Sequence, residues 1–238
     1  VSHELRTPIN TICGMSEIIM REDIPERLRD EVFDIQTSGK NLLSVVSDIL
    51  DFTELQSGEM PLDEDVYDLA VTIQNVIDMS MSHKEKNQLE IIVDCDTNIP
   101  KGLYGDEPKI RRVLMNLVDN AMKFTEAGCV VIRVSSRKTE YGINLLIKVS
   151  DTGIGMDGEF LKRIYQPYAK ADEDVGKRYH GTGLGMTIAK QYIDAMGGSI
   201  GVESEPGKGS RFTVRIPFAI ADALPQKEEA GVTVTKAF

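Results

Sequence analysis

From Leu5 onward, key positions recur in steps of three and four: Leu5, Ile9, Ile12, Ser16 and Ile19 share one face of a helix. Arg21–Pro25 is polar and ends in proline, which predicts a turn. Leu28, Val32, Ile35, Gly39, Leu42, Val46, Ile49 and Thr53 then repeat the step. Folded as an antiparallel hairpin, two helices with such seams leave an apolar stripe uncovered. Pairing two hairpins into a four-helix bundle buries it, so residues 1–57 are expected to form an all-α hairpin that assembles as a homodimer.

Beyond Ser57–Pro61 the period changes. Residues 58–66 read as a linker, and residues 67–220 mix helices with strands. Helices are predicted at Ala70–Met81, Pro108–Phe124 and Thr187–Met196; Asp106 as N-cap and Pro108 in the first turn open the second of them. Strands are predicted at Leu89–Asp94, Val130–Ser135, Leu145–Ser150, Ile200–Glu203 and Arg211–Pro217, the last two as a hairpin. Glycine-rich loops fill Asp151–Gly158 and Gly181–Gly185. This order predicts an α+β two-layer sandwich, followed at 221–238 by a polar tail.

Composition narrows the function. With 238 residues, 41% of them hydrophobic, the chain can bury a core. A net charge of −11 and no basic block argue against nucleic acid or an anionic membrane as the main partner. No apolar run is long enough to cross a bilayer and no signal peptide is evident, so a cytoplasmic location without membrane contact is expected. Cys13, Cys95 and Cys129 have no metal-ligand spacing and read as packing thiols. Val1 begins inside a helical pattern with no cap before it, as expected for a fragment of a longer protein whose sensor or anchor lies upstream.

The chemistry concentrates on the helix Pro108–Phe124. At about 100° per residue, Ile110, Val113, Leu114, Leu117, Val118 and Ala121 share one face, and Arg112, Asn116, Asp119, Asn120 and Lys123 the other. Asparagine competes for backbone hydrogen bonds and is a poor filler of a helix. Its neutral oxygen suits a hard cation such as Mg²⁺, with a lysine on the same stripe for phosphate. Asp151, straight after a strand, can accept from an exocyclic amine, and Gly153 and Gly155 let backbone approach a ligand. Gly181-Thr182-Gly183-Leu184-Gly185 opens a helix, whose free N–H groups favour phosphate. Gly153, Gly155 and Gly158 also spell G-x-G-x-x-G, but Asp172, about 20 residues on, follows no second strand, so a dinucleotide fold is rejected.

The segments Asn116–Thr125, Asp151–Met156, Tyr165–Tyr168 and Gly181–Met186 resemble, in order, the N, G1, F and G2 boxes of sensor histidine kinases, and Ser2-His3-Glu4-Leu5-Arg6-Thr7-Pro8 resembles their H box. The resemblance covers nearly the whole chain. It implies a Bergerat-type ATP-binding fold, a mixed sheet with helices on one side and a mobile lid. Asn120 would hold Mg²⁺ with Asn116 assisting, Lys123 would contact phosphate, and Asp151 would bind the adenine amine. The lid would span about Asp157–His180, with Lys177 and Arg178 meeting phosphates, and Thr213 would belong to the same site. His3 would be the phosphoacceptor, Glu4 its proton acceptor, and Thr7 would help position a water that hydrolyses a phosphorylated partner. That partner would be the receiver domain of a response regulator, separate or fused. Four residues depart from the usual pattern: tyrosine replaces phenylalanine at 165 and 168, Arg112 stands where glutamine is frequent, and His180 replaces a frequent glycine. Other ATPases of this fold lack the helical hairpin carrying His3. A degenerate kinase serving as a dimeric scaffold would lack box residues that are present.

Overall fold

The first periodic stretch forms helix α1 (Ser2–Arg21), which carries Pro8 inside its run, and the second forms α2 (Glu26–Gln56). The computed structural model describes residues 2–22, 24–56, 60–81, 89–140, 142–169 and 181–220. Cys13 and Gly39 fix the hairpin's register: a Cβ on Gly39 would lie 2.7 Å from the Cys13 sulfur. The two halves of each seam diverge. Ile9, Ser16 and Gly39 are buried within the hairpin, whereas Leu5, Ile12, Ile19, Leu28, Ile35, Leu42 and Ile49 stay exposed. The uncovered apolar stripe expected of a lone hairpin is therefore present.

The remaining elements are β1 (Asp65–Tyr67), α3 (Leu69–Met81), β2 (Leu89–Cys95), β3 (Leu103–Gly105), α4 (Glu107–Lys123), β4 (Gly128–Lys138), β5 (Ile143–Asp151), α5 (Gly158–Arg163), α6 (Gly185–Ala195), β6 (Ser199–Glu205) and β7 (Gly209–Ile220). The sheet runs β1-β3-β7-β5-β4-β2, with β6 also on β7. Only β2 and β4 pair in parallel. The early half of β7 pairs with β6 and its end with β3, so one long strand organises the centre. Alternation gives the sheet its buried face: Val130, Ile132 and Val134 on β4, Ile143, Leu145, Ile147 and Val149 on β5, Phe212, Val214, Ile216 and Phe218 on β7. Against it pack Leu114 and Leu117 of α4, Ile188 and Ile193 of α6, and Ile73 and Val76 of α3, all in one apolar cluster.

Two short strands escape the sequence pattern. β1 and β3 have three residues each, too few for a period to show. The sheet thus begins at Asp65, inside the stretch expected as linker. That stretch is pinned by the cap of α4: Asp106 accepts from the Lys109 N–H at 3.0 Å and from the Asp63 N–H at 2.9 Å, while Lys109 Nζ donates to the Pro61 carbonyl at 3.1 Å. One capping carboxylate so joins the helix start to the inter-domain segment. The polar tail at 221–238 lies outside the described residues.

Candidate nucleotide site

Helix α4 buries its apolar face and turns Asn116, Asn120 and Lys123 toward a cavity of about 590 Å³. The loop after β5 forms another wall. Asp151 is buried at the strand end, and its Oδ1 accepts from the Gly153 N–H at 2.9 Å and the Ser210 N–H at 3.2 Å. Burial pushes its carboxyl above the ordinary range, opposed by those two backbone donors. Oδ2 receives no hydrogen bond among the described residues.

The loop is held by close backbone approach. Gly155 has φ +67, and a Cβ there would stand 2.0 Å from the Glu205 carbonyl oxygen. Met156 N–H donates to Ser204 Oγ at 2.8 Å, which clips the loop to the β6–β7 turn. Gly155→Ala is expected to cost about 2 kcal/mol or more through positive φ and the clash, read as a lower midpoint in denaturant unfolding. Gly153 does not line the cavity; a Cβ there would meet the Phe124 carbonyl at 2.3 Å, so its role is packing of the loop on the end of α4.

The other glycine-rich loop closes the opposite end. Gly181, Thr182, Gly183 and Gly185 line the cavity, whereas Leu184 is buried in the core. Thr182 Oγ1 accepts from the Leu184 N–H at 3.2 Å, at the start of α6. A Cβ on Gly181 would lie 2.8 Å from Lys123 Nζ, and one on Gly185 would lie 2.9 Å from Asn116 Oδ1. The Asn116 amide nitrogen is buried with no partner among the described residues. A lysine, two asparagine amides and the N-terminus of α6 thus converge at one end, with a buried aspartate at the other. That donor set fits a nucleotide with its hard cation: oxygens for Mg²⁺, cationic and N–H groups for phosphate, an acceptor for a base amine.

Other expected residues fall elsewhere. Phe212 lines the cavity, so by alternation Thr213 faces the other side of β7. Part of the expected lid is helix: Asp157 caps α5 by accepting from the Phe160 N–H at 2.7 Å. Six residues are too few for periodicity to reveal. Tyr165 and Tyr168 keep ring packing: Tyr165 hydroxyl is buried, its pKa pushed up to about 12, and Tyr168 meets Phe52 edge-on. Lys177, Arg178 and His180 lie outside the described residues. His3 belongs to the first turn of α1, and the side chains of His3 and Glu4 are likewise outside. Thr7 is exposed, and its carbonyl accepts from Thr11 Oγ1 at 3.0 Å.

Sequence reasoning missed three contributions. Ser210 reaches Asp151 only because β7 folds back beside β5, a long-range pairing. Phe160 and Ile164 add apolar wall from α5. Asn41, Ser44, Val45 and Asp48 line the cavity from α2, which the period of the first domain assigned only to hairpin packing.

Residues 105–220 match the family described as histidine kinase-, DNA gyrase B- and HSP90-like ATPase, and residues 1–58 match the His Kinase A phospho-acceptor domain. Sensor protein GacS of Pseudomonas syringae pv. syringae is 36% identical over 231 residues, covering 97% of this chain and 25% of that protein. Signal transduction histidine-protein kinase BarA of Escherichia coli (strain K12) is 32% identical over 217 residues, covering 91% of this chain and 24% of that protein. The crystal structure of full-length ShkA in complex with AMPPNP superposes with a TM-score of 0.72 at 32% identity, covering 92% of this chain and 45% of that one. The fold and site define an ATPase domain of the histidine-kinase type joined to a phospho-acceptor hairpin. The chain belongs to the sensor histidine kinases of two-component systems. It spans about a quarter of the length of these curated relatives.

Proposed function

We propose that this chain transfers the γ-phosphoryl group of Mg·ATP to His3 and then to an aspartate on the receiver domain of a response regulator. The observation that carries this reading is a single cavity gathering Asn116, Asn120, Lys123, Asp151 and the Gly181–Gly185 loop, in a chain whose first helix bears His3. Cys13 lies beside Gly39, and the helices run antiparallel, so the turn carrying His3 is level with the α2 turn carrying Asp48, a residue of the cavity wall.

In the transfer, a neutral imidazole nitrogen of His3 forms the new P–N bond as the bond from γ-phosphorus to the bridging oxygen breaks and ADP leaves. Glu4, the next residue, takes the imidazole proton. Lys123 and the N–H groups opening α6 neutralise the leaving charge, and Asp151 holds the base. Asn120, with Asn116, would hold Mg²⁺, which supplies charge neutralisation when bound. The exposed stripe from Leu5 to Ile49 serves a second copy, completing the four-helix bundle. Thr7, one turn after His3, serves dephosphorylation of the regulator. An upstream sensor domain and a receiver domain, separate or fused, are the further partners of this reading.

Incubation with γ-labelled ATP and Mg²⁺ tests this. Label on the chain that is lost in acid, kept in base and prevented by EDTA is the expected result. Acid-stable label, or label indifferent to EDTA, overturns it. Asn120→Ala is expected to lower labelling by at least about 10-fold, as weakened metal sites do, with adenosine affinity retained by calorimetry.

A further inference from the structure

Arg112 stands apart from the kinase pattern, and the structure gives it specific partners. From α4 it donates through Nε to Asp51 Oδ2 at 3.1 Å and through Nη2 to Asp48 Oδ1, both carboxylates on α2. Asp48 is only 7% exposed, and its second oxygen accepts from Thr182 Oγ1 at 2.6 Å. Thr182 belongs to the loop that opens α6, and its hydroxyl also receives the Leu184 N–H. One turn further along α2, Phe52 meets the ring of Tyr168 edge-on, centroids 6.2 Å apart. Tyr168 has φ +61, the one non-glycine residue at positive φ among the described residues. Strain of that kind persists only where surroundings enforce it. Here Tyr168 is held between Phe52 and Gly183, where a Cβ would lie 2.9 Å from the Tyr168 backbone.

These contacts place a carboxylate where the nucleotide reading needs phosphate. Asp48 lines the same cavity as Lys123, Gly181 and Thr182. Two carboxylates face one guanidinium, so α2 brings net negative charge to the phosphate end, in a partly desolvated site where repulsion is weakly screened. It also occupies the Thr182 hydroxyl.

We propose that Asp48, Asp51, Arg112 and Thr182 form a clasp that docks α2 on the nucleotide domain, and that the clasp and the phosphates of Mg·ATP exclude each other. Seating ATP breaks the Asp48–Thr182 bond and frees the nucleotide domain from the height of α2 at which it is held. Asp48 and Arg112 are positioning residues, acting through Thr182. By linkage, whatever tightens the hairpin's hold lowers ATP affinity, and ATP loosens that hold by the same factor.

The clasp rests on the cavity being the nucleotide site, and the test separates the two. Calorimetry with adenosine and with a non-hydrolysable ATP analogue plus Mg²⁺ is run on the chain, on Asp48→Asn and on Asp51→Asn. Each variant removes one negative charge from the phosphate end and weakens the hold on Arg112. The expected result is three- to tenfold tighter binding of the analogue in both variants, with adenosine unchanged. A wild-type measurement guards against misfolded variants: X-ray scattering should show a larger radius of gyration with the analogue than with adenosine. Analogue affinity that is unchanged or weaker in Asp48→Asn, or scattering indifferent to the analogue, overturns the clasp. Binding of neither compound to the wild type overturns the nucleotide reading itself, and the clasp with it.

Discussion

His3→Gln is expected to abolish labelling by γ-labelled ATP, a fall of about 10³-fold or more as for removal of a nucleophile, while affinity for a non-hydrolysable ATP analogue stays within about twofold. The amide nitrogen of glutamine has its lone pair delocalised into the carbonyl and cannot form the P–N bond. Nucleotide affinity should hold because the residues proposed for base and phosphate line the cavity from α4, β5 and the loop opening α6. His3 lies in the first turn of α1. Labelling that survives in His3→Gln would move the phosphoacceptor elsewhere on the chain. A parallel loss of analogue binding would mean that α1 supports the nucleotide site, through the α2 turn that lines the cavity.

How much of this was legible depends on range. The helix faces of α1, α2 and α4 were readable because a side-chain period of about 3.6 is a local property. Asp106 as cap of α4 was readable for the same reason, and its Oδ1 bond to the Lys109 N–H bears it out. Strands β4, β5 and β7 were found a few residues short at their ends, since pairing partners set strand ends. β1 and β3 were invisible, being made by the neighbours they pair with. At the site, Asn116, Asn120, Lys123 and Asp151, each picked out by a local motif, all line one cavity. For Thr213, position in the hairpin says nothing of which face it occupies; Phe212 is the β7 neighbour that is buried and lines the cavity. Arg112 could be flagged only as unusual, because Asp48 lies 64 residues away in sequence and belongs to another domain. Local chemistry is written in the sequence, and contacts between domains are not.

Asp151→Asn should separate base recognition from folding. In the wild type, Gly153 and Ser210 both donate to Oδ1, which leaves Oδ2 for the ligand. Those two donors fix the orientation of an asparagine placed there. Its carbonyl oxygen must take the Oδ1 position, because an NH₂ group facing two backbone N–H groups would leave three donors without an acceptor. The NH₂ is then turned into the cavity, donor against the adenine amine. The loss is that of a charge-assisted hydrogen bond, about 1.5–3 kcal/mol, or roughly 10- to 150-fold in affinity. The fold should persist, since both backbone donors remain satisfied. The sign reverses for guanine, whose exocyclic oxygen accepts from the same NH₂. Calorimetry with adenine and guanine triphosphate analogues is therefore expected to show adenine affinity falling and the preference for adenine narrowing. Equal losses for both bases would place Asp151 in loop structure instead of base selection. Unchanged adenine affinity would mean that the base lies elsewhere in the cavity, against the apolar wall of Ile154, Met156, Phe160 and Phe212.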